Sequence, residues 1–196
     1  MNQFYAYMAR LRLIRRWSLM RNTQSENDAE HSLQVAMIAH AIAWIGKIRY
    51  GKTVDPEHVM TLAVYHDASE VITGDLPTPV KYYRNDLKKA YHEVESLAVD
   101  RLCAMLPEDL REPMHACMTE RDTEAWTIVK AADRISAYVK CLEEQRAGNH
   151  EFDAAAETIL QSIRQYDAPE IRDFMEEMVP PFSWTLDALN QPEVSE

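Results

Sequence analysis

The chain reads Tyr65-His66-Asp67-Ala68-Ser69-Glu70 in the middle of an apolar helical segment. An amphipathic helix gains nothing from three ionisable groups on a face that is flanked by aliphatic side chains such as Leu62 and Val71. Burying such groups costs several kcal/mol unless something neutralises them. A divalent metal would do so, because neutral imidazole nitrogen and carboxylate oxygen are both good ligands. The segment therefore predicts a metal site.

The helix that carries this segment is predicted to span residues 56–72. Asp55 is a favourable N-cap, a proline follows at the first helical position, and Gly74 is a plausible stop. His66 and Glu70 are four residues apart, so their side chains lie on one surface of a helix. The sequence thus predicts a histidine, an aspartate and a glutamate that face the same space.

Helical patterning extends over most of the chain. Glycine occurs only four times in 196 residues, and apolar residues recur at helical spacing. Ser25-Glu26-Asn27-Asp28 resembles a capping box and predicts a helix that ends near Ile45, before Gly46. We predict an all-α, compact helical bundle that forms a single domain over residues 1–196, with a frayed tail after about residue 190. Further helices are predicted over residues 2–13, 86–105, 107 onwards with an interruption near Pro113, 124–147, 152–166 and 169–178.

Two other helices carry an ionisable residue on an apolar side. His31 shares a face with Val35, and a lone core-facing histidine is usually a hydrogen-bonded structural residue; the same interpretation applies to His40. Asp133 needs a partner if it is buried, and a neighbouring Lys130 or Arg134 could supply a salt bridge. Taken with His66 and Asp67, however, His31 and Asp133 would place two imidazoles and two carboxylates around one ion in a helical bundle.

Composition and charge exclude several classes of function. A net charge of −11 argues against a nucleic-acid polymer as partner, since that would require a basic surface. No apolar run approaches the length of a membrane span, and no signal peptide is evident, so we expect no membrane association. Cys103, Cys117 and Cys141 are widely spaced and indicate reduced thiols. A cytoplasmic location is therefore expected.

Two further segments are candidates for binding a ligand. Arg16-Trp17 is either a solvated arginine beside a core aromatic or an arginine that grips a phosphate while the indole fixes its direction. The loop 74–81 contains two prolines. It is either a rigid connection or a pocket wall that presents Asp75 and Thr78.

The order H…HD…D resembles the signature of the HD-domain metal-dependent phosphohydrolases. Further motifs resemble the bacterial 5′-deoxynucleotidase branch of that family over nearly the whole chain, and the long loop is the most specific of them. These motifs are Arg16-Trp17, Glu30-His31-Ser32, Tyr65 to Glu70, Thr73-Gly74-Asp75-Leu76-Pro77-Thr78-Pro79-Val80-Lys81 and Lys140-Cys141-Leu142-Glu143-Glu144.

The resemblance implies a homodimeric enzyme that hydrolyses deoxyribonucleoside 5′-monophosphates with one divalent metal per chain, cobalt or manganese. Arg16 would hold the phosphate, oriented by Trp17, and Glu70 would help to activate the attacking water. The metal ligands implied are His31, His66, Asp67 and Asp133. The substrate pocket implied comprises Arg16, Trp17, His31, Asp67, Asp75, Leu76, Pro77, Thr78 and Asp133.

Two alternatives remain open at this stage. A dinuclear HD phosphodiesterase or oxygenase would need additional histidines, and His92 and His115 are available for that role. The second alternative is a non-catalytic nucleotide-binding HD protein, which would be favoured by the loss of a ligand. The sequence retains all four ligands that the resemblance implies.

Overall fold

The computed structural model describes residues 2–77 and 84–191 of the chain. Within these residues the secondary structure is helical, without a β-strand, and one isolated antiparallel bridge joins Arg15 to Asn27. The all-α prediction is confirmed. The helices are α1 (Phe4–Met8), α2 (Asp28–Tyr50), α3 (Pro56–Tyr65), α4 (Glu70–Thr73), α5 (Asn85–Ala104), α6 (Glu108–Thr119), α7 (Glu124–Arg146), α8 (Asp153–Ile163), α9 (Pro169–Glu177) and α10 (Leu186–Leu189), with 3-10 turns at Leu11–Leu13, His150–Phe152 and Pro180–Ser183.

Helix α2 lies at the centre of the bundle and packs against α3, α7 and α9. The main core forms between these helices, and aliphatic side chains at helical spacing supply it. Its fully buried members include Val35, Ala39, Ile42, Val59, Ala63, Val129, Ala132, Ile135 and Val139.

Two smaller apolar clusters flank the main core. The first joins α1 to α5 and α6 through Phe4, Leu102 and Met118, and it includes Ala68 from the segment between α3 and α4. The second contains Phe152 and Cys141 and packs against Trp17. All three cysteines are free thiols. The segments that connect the helices are therefore held against the bundle by burial of their apolar side chains.

The boundaries of α2 differ from the sequence prediction at both ends. Asn27, not Ser25, is the N-cap, because its side-chain oxygen accepts hydrogen bonds from the backbone of Ala29 and Glu30, each at 3.1 Å. The helix continues through Gly46, which allows close packing against Lys52: an added Cβ would lie 3.3 Å from its Cδ. The helix ends at Gly51, whose φ of 66° is left-handed.

The predicted helix 56–72 is interrupted at the His-Asp pair. Helix α3 ends at Tyr65, residues 66–69 form turns, and α4 begins at Glu70. Backbone hydrogen bonds here connect residues three apart, including Glu70 N to Asp67 O at 2.9 Å. The prediction of a continuous helix was wrong at this point. His66 Nδ1 donates a hydrogen bond at 2.7 Å to the carbonyl of Ala63, which in a continuous helix would accept from the backbone four residues on.

The remaining boundaries differ less. The segment predicted as one helix over residues 2–13 is split into α1 and a 3-10 turn. Pro113 lies inside α6 without ending it, so the predicted interruption there was wrong. Helices α5, α7 and α9 end within one or two residues of the predicted positions, and α8 covers residues 153–163. Among the described helices, none has both the length and the apolarity needed to cross a membrane.

Candidate active site

Three helical elements bring a histidine, a second histidine and an aspartate to one buried point. His31 comes from the second turn of α2, His66 from the turn after α3, and Asp133 from the middle of α7. One ligand atom from each lies within 4.8 Å of the other two. The distance from His31 Nε2 to Asp133 Oδ1 is 3.2 Å. These spacings suit two imidazoles and a carboxylate around a single ion.

The second nitrogen of each imidazole is fixed by the protein. His66 Nδ1 donates to the carbonyl of Ala63. Ser136 Oγ donates to Gln34 Oε1 at 2.6 Å, so its oxygen accepts from His31 Nδ1 at 3.0 Å. Both rings therefore carry their proton on Nδ1 when neutral and present the Nε2 lone pair to the shared point. Metal-binding histidines are held in this way by their outer partners.

Asp67 lies beside the three converging residues. Its Oδ2 is 2.9 Å from His66 Nε2 and 3.7 Å from His31 Nε2. Asp133 contacts His31 through one oxygen and forms an ion pair with Lys130 through the other. The salt-bridge interpretation of Asp133 and the metal-ligand interpretation are thus compatible, since they use different oxygens.

The electrostatics of this cluster favour a bound cation. Burial favours the neutral ring of His66, but Asp67 and Asp133 together outweigh burial and raise the pKa of His66. Burial also opposes ionisation of Asp133, yet Lys130 and the histidines lower its pKa. With its proton on Nδ1, His66 Nε2 has no donor among the described residues, and Asp67 Oδ2 at 2.9 Å offers it only another lone pair. A divalent ion would supply the missing partner and balance the carboxylates, so the residues present fit a metal.

Arg16 and Trp17 lie at the edge of the same site. The Arg16 guanidinium is 3.7 Å from Asp67 Oδ2 and 3.3 Å from Glu26 Oε2. Burial alone would lower the pKa of Arg16, but Asp67, Asp133 and Glu26 raise it overall, so the side chain stays charged. Trp17 contacts Glu26 through its indole nitrogen and packs against the Phe152 ring at a centroid distance of 5.3 Å. The pair provides a fixed cation and an aromatic wall.

Glu70 lies at the start of α4 and is buried next to Asp28. Among the described residues, Glu70 Oε2 and both oxygens of Asp28 lack a hydrogen bond of good geometry, although the two carboxyl groups are close enough for Glu70 to lower the pKa of Asp28. Burial, together with Asp67 and Asp28, raises the pKa of Glu70. Burial likewise raises the pKa of Asp28, to about 7. A carboxylate in such surroundings is a stronger base than one in water, because its proton-bound form is favoured.

Part of the predicted pocket wall lies next to this cluster. Asp75, Leu76 and Pro77 are half-buried, and the charge of Asp75 acts on Arg16. Gly74 adopts a φ of 75°, which turns the chain out of α4. Thr78, the other predicted contact, lies outside the described residues, as does the tail beyond residue 191.

The other histidines make separate contacts. His40 accepts a hydrogen bond from Trp44 Nε1 at 3.0 Å, as a structural histidine would. His92 pairs with Glu95 at 2.8 Å on an exposed surface, and His115 pairs with Asp100 at 3.0 Å. Neither belongs to the group of possible metal ligands found among residues 2–77 and 84–191. These histidines therefore give no support to the dinuclear alternative.

Sequence reasoning missed several residues around the site. Glu26 was assigned to a capping box, although its carboxylate contacts Arg16 and Trp17. Ser136 and Gln34 lie 102 residues apart in sequence and meet only in the fold. Asp28 was placed in the cap, yet its side chain is fully buried. An acidic residue directly after the cap is ordinary for a helix, so no signal in the sequence marked it.

The chain is similar in sequence to proteins of one known family over almost its full length. Residues 3–182 match the family described as 5′-deoxynucleotidase YfbR-like. A 5′-deoxynucleotidase of Erwinia tasmaniensis is 49% identical over 192 residues, covering 97% of each chain. A 5′-deoxynucleotidase of Vibrio cholerae is 46% identical over 191 residues, covering 96% of this chain and 98% of the relative.

Two solved HD-domain phosphohydrolases have a similar fold. One from Listeria innocua has a TM-score of 0.82 at 24% identity, and the match covers 92% of this chain and 88% of that one. The HD phosphohydrolase of cyanophage S-2L, bound to dA and one catalytic Zn²⁺ ion, has a TM-score of 0.63 at 21% identity, covering 89% and 93%. The predicted family is confirmed. The chain belongs to the YfbR-like 5′-deoxynucleotidases, a family of phosphoric monoester hydrolases built on the HD-domain fold.

Proposed function

We propose that this chain hydrolyses deoxyribonucleoside 5′-monophosphates to deoxynucleoside and phosphate at the site formed by His31, His66, Asp67 and Asp133. The observation that carries the proposal is the convergence of ligand atoms from His31, His66 and Asp133 within 4.8 Å, beside the Arg16 guanidinium. This arrangement occurs in a chain of the 5′-deoxynucleotidase family. Metal and arginine act locally, so an acidic protein can still bind an anion there.

Each residue of the site has a proposed role in the reaction. A divalent ion held by the four ligands would supply Lewis acidity and shield the phosphate charge. Arg16 binds the phosphate oxygens and stabilises charge that develops on them, and the Trp17 indole orients it. Glu70 accepts a proton from the attacking water or orients that water. A bond from the water oxygen to phosphorus forms as the bond between phosphorus and the 5′ oxygen breaks, and the 5′ oxygen takes up a proton from solvent to leave as the hydroxyl of the deoxynucleoside.

The substrate contacts form the second part of the proposal. We propose that Asp75, Leu76 and Pro77 line the pocket and that His31, Asp67 and Asp133 lie under the phosphate; Thr78, the fourth predicted contact of this loop, lies outside the described residues. The support for this is that Asp75 is half-buried and that its charge acts on Arg16 and Glu70. Preference for deoxyribose would follow from a wall that offers no room and no partner to a 2′-hydroxyl. The dA bound to the cyanophage neighbour is consistent with a deoxynucleoside product.

One divalent ion per chain is proposed, with cobalt or manganese supporting activity. Two imidazole nitrogens and two carboxylates are a donor set that several first-row divalent metals accept. The cyanophage neighbour carries one catalytic Zn²⁺ ion. Metal identity therefore needs measurement, and each of cobalt, manganese and zinc belongs in the activity panel.

A homodimer is also proposed, and the outer face of α2 supports it. Leu33, Met37 and Ile48 are 61%, 58% and 74% exposed, and Trp44 lies between them on the same face. The opposite face of α2 packs into the bundle core. A helix with apolar residues on two faces is typically buried on both, so the outer face is expected to be covered by another surface. A second copy of the chain would cover the outer face. Light scattering should give a mass of two chains for the parent protein. Met37→Glu should lower the measured mass to that of one chain, whereas Leu186→Glu should leave it at two.

A cytoplasmic location completes the proposal. Its support is that Cys103, Cys117 and Cys141 are all free thiols, as expected in a reducing compartment. Fractionation of cells that express the tagged chain would test it. Recovery with a periplasmic or membrane marker would contradict it.

Phosphate release from a panel of deoxy- and ribonucleoside 5′-monophosphates tests the activity. The panel is run with chelator and again after addition of cobalt, manganese or zinc. We expect release from the deoxynucleotides that requires a metal. No release with any metal would refute the proposed function, and equal rates on ribo- and deoxynucleotides would refute only the sugar preference.

A further inference from the structure

Glu26 contacts both members of the Arg16-Trp17 pair with a single oxygen. Its Oε2 accepts a hydrogen bond from Trp17 Nε1 at 2.8 Å and another from Arg16 Nε at 3.3 Å. Its backbone carbonyl accepts from the Arg16 amide at 3.1 Å. The Glu26 side chain is only 14% exposed. A part-buried carboxylate shared by a cation and an indole is a strong geometric restraint on both, because charge-assisted hydrogen bonds are directional.

The backbone of Trp17 supports a positioning role for this contact. Trp17 has a φ of 56°, in the left-handed region that glycine favours. A tryptophan keeps such a conformation only where its surroundings enforce it, and such residues cluster at functional sites. Here the indole nitrogen is held by Glu26, the ring packs on Phe152, and the Trp17 carbonyl accepts from Asn22 Nδ2 at 3.2 Å.

The Arg16 side chain is subject to competing attractions. Asp67, Asp133 and Glu26 all act on its charge, and the first two belong to the proposed metal site. Glu26 occupies Nε, on the inner edge of the guanidinium, while a terminal nitrogen lies 3.7 Å from Asp67 Oδ2. This leaves the terminal nitrogens as the part of the planar fork directed to the site. Without Glu26 the guanidinium would be free to rotate toward Asp67 and Asp133.

We propose that Glu26 is a positioning residue, which sets the Arg16 guanidinium and the Trp17 indole in the orientation needed to bind the substrate phosphate. The inference rests on the proposed function for the role of Arg16. Glu26 acts through Arg16 and Trp17, and we assign it no contact with substrate or metal.

Steady-state kinetics with the metal-loaded enzyme test the link to phosphate binding. Glu26→Ala should raise KM for a deoxynucleotide by about 10–100-fold, as expected for loss of a hydrogen bond to a charged group. Glu26→Gln keeps an acceptor but loses the charge, so its KM should lie between those of the parent and Glu26→Ala. Glu157→Gln, on the exposed face of α8, is the matched control. Metal content per chain should be the same in all four proteins.

A double-mutant cycle tests whether Glu26 works through Arg16. In the Arg16→Ala background, Glu26→Ala should change KM by less than about twofold, because contacting residues are not additive. A full additional loss in that background would overturn the proposal. So would an unchanged KM in both Glu26 variants of an enzyme that is otherwise active.

A spectroscopic readout keeps the inference testable even if the chain hydrolyses no deoxynucleotide. The protein has four tryptophans, and Trp17→Phe identifies the indole N–H resonance of Trp17 in a ¹⁵N–¹H spectrum. Glu26→Ala should move that resonance and speed its exchange with water, Glu26→Gln should move it less, and Glu157→Gln should leave it unchanged. An unmoved Trp17 resonance in Glu26→Ala would overturn the positioning role independently of activity. Absence of turnover in the parent enzyme would instead refute the proposed function.

Discussion

Helix α7 carries two sets of buried charge that differ in how well the chain satisfies them. Lys140 and Glu144 form an ion pair, and Glu144 also accepts from Thr23 N at 2.8 Å, Thr23 Oγ1 at 2.7 Å and Asn149 Nδ2 at 2.8 Å. Lys140 Nζ donates to the carbonyl of Gln24 at 2.6 Å. These contacts fasten the segment that joins Trp17 to α2. Every charge in this set has its partner inside the chain.

The set around Asp133 is incomplete by the same test. His66 Nε2, Glu70 Oε2 and both oxygens of Asp28 are buried, and none has a hydrogen bond of good geometry within residues 2–77 and 84–191. Carboxylates also outnumber the cations that act on this site. Buried charge by itself therefore does not distinguish a structural site from a functional one. At this site, unlike at Lys140 and Glu144, several buried polar atoms are left unpaired, and a bound ion, a proton or water would remove the cost of leaving them so.

Removal of a proposed ligand should have the largest effect. In the parent protein, metal should raise stability by about 2.7 kcal/mol at a free concentration 100 times Kd, since metal binds the folded state. Asp67→Ala should abolish both phosphate release and this metal-dependent gain. Thermal melts with chelator and with cobalt or manganese measure it. A variant that keeps the full metal-dependent shift in Tm would contradict the assignment of Asp67.

Loss of the proposed water-activating carboxylate should spare the metal. Glu70→Ala should lower kcat by about 10²–10⁴-fold, the range for a positioned acid–base group. Metal content and substrate binding should remain. Turnover and metal per chain, measured on one preparation, provide the check. Full activity in this variant would remove Glu70 from the mechanism.

A break in the satisfied set should act on folding and leave the metal response intact. Glu144→Ala leaves Lys140 buried without its carboxylate partner, which costs about 3–5 kcal/mol. Denaturant unfolding measures the loss, and Glu157→Ala on exposed α8 is the control. Added metal should still raise the Tm of this variant by as much as it raises the Tm of the parent. A loss below about 1 kcal/mol would mean that this set is not the structural anchor that its contacts indicate.

The same set should be sensitive to acid. Burial opposes the ionised form of Glu144, but Lys140, Asn149 and Thr23 outweigh it and lower the pKa to about 2, from an ordinary value of 4.5. A lowered folded-state pKa gives stability that is complete above about pH 4.5 and is lost as the pH falls toward 2. The stability difference between the parent and Glu144→Gln should therefore shrink over that interval. A difference that stays constant from pH 6 to pH 2 would contradict this linkage.

These two sets also show how far the sequence alone can lead. His31 and Asp133 could be singled out because each is an ionisable residue on the apolar face of its helix, and His66 because it stands beside Asp67 and Glu70, but the ligand set as a whole was predicted from the family resemblance. Lys140 and Glu144 are four residues apart, a spacing typical of solvated pairs, and only packing against Thr23 and Gln24 buries them. The turn at residues 66–69 was not predictable either, because no glycine or proline marks it and the His66 side chain that bonds to the Ala63 carbonyl there gives no signal in the sequence. Long-range contacts of this kind have no local signature.

The smallest expected effect comes from the support of His31. Ser136 Oγ donates to Gln34 and accepts from His31 Nδ1, which fixes the tautomer that presents Nε2. Ser136→Ala should weaken metal affinity by about 10–100-fold, the usual cost of losing an outer partner of a metal-binding histidine, while saturating metal restores most of the turnover. Ser162→Ala removes a hydroxyl that donates to the Ile159 carbonyl on α8 and serves as the control. Competition with a chromophoric chelator measures the affinity. Equal affinity in the two variants would show that Nε2 of His31 is directed by packing alone, and the orphaned Nε2 of His66 would then be the better guide to where the ion binds.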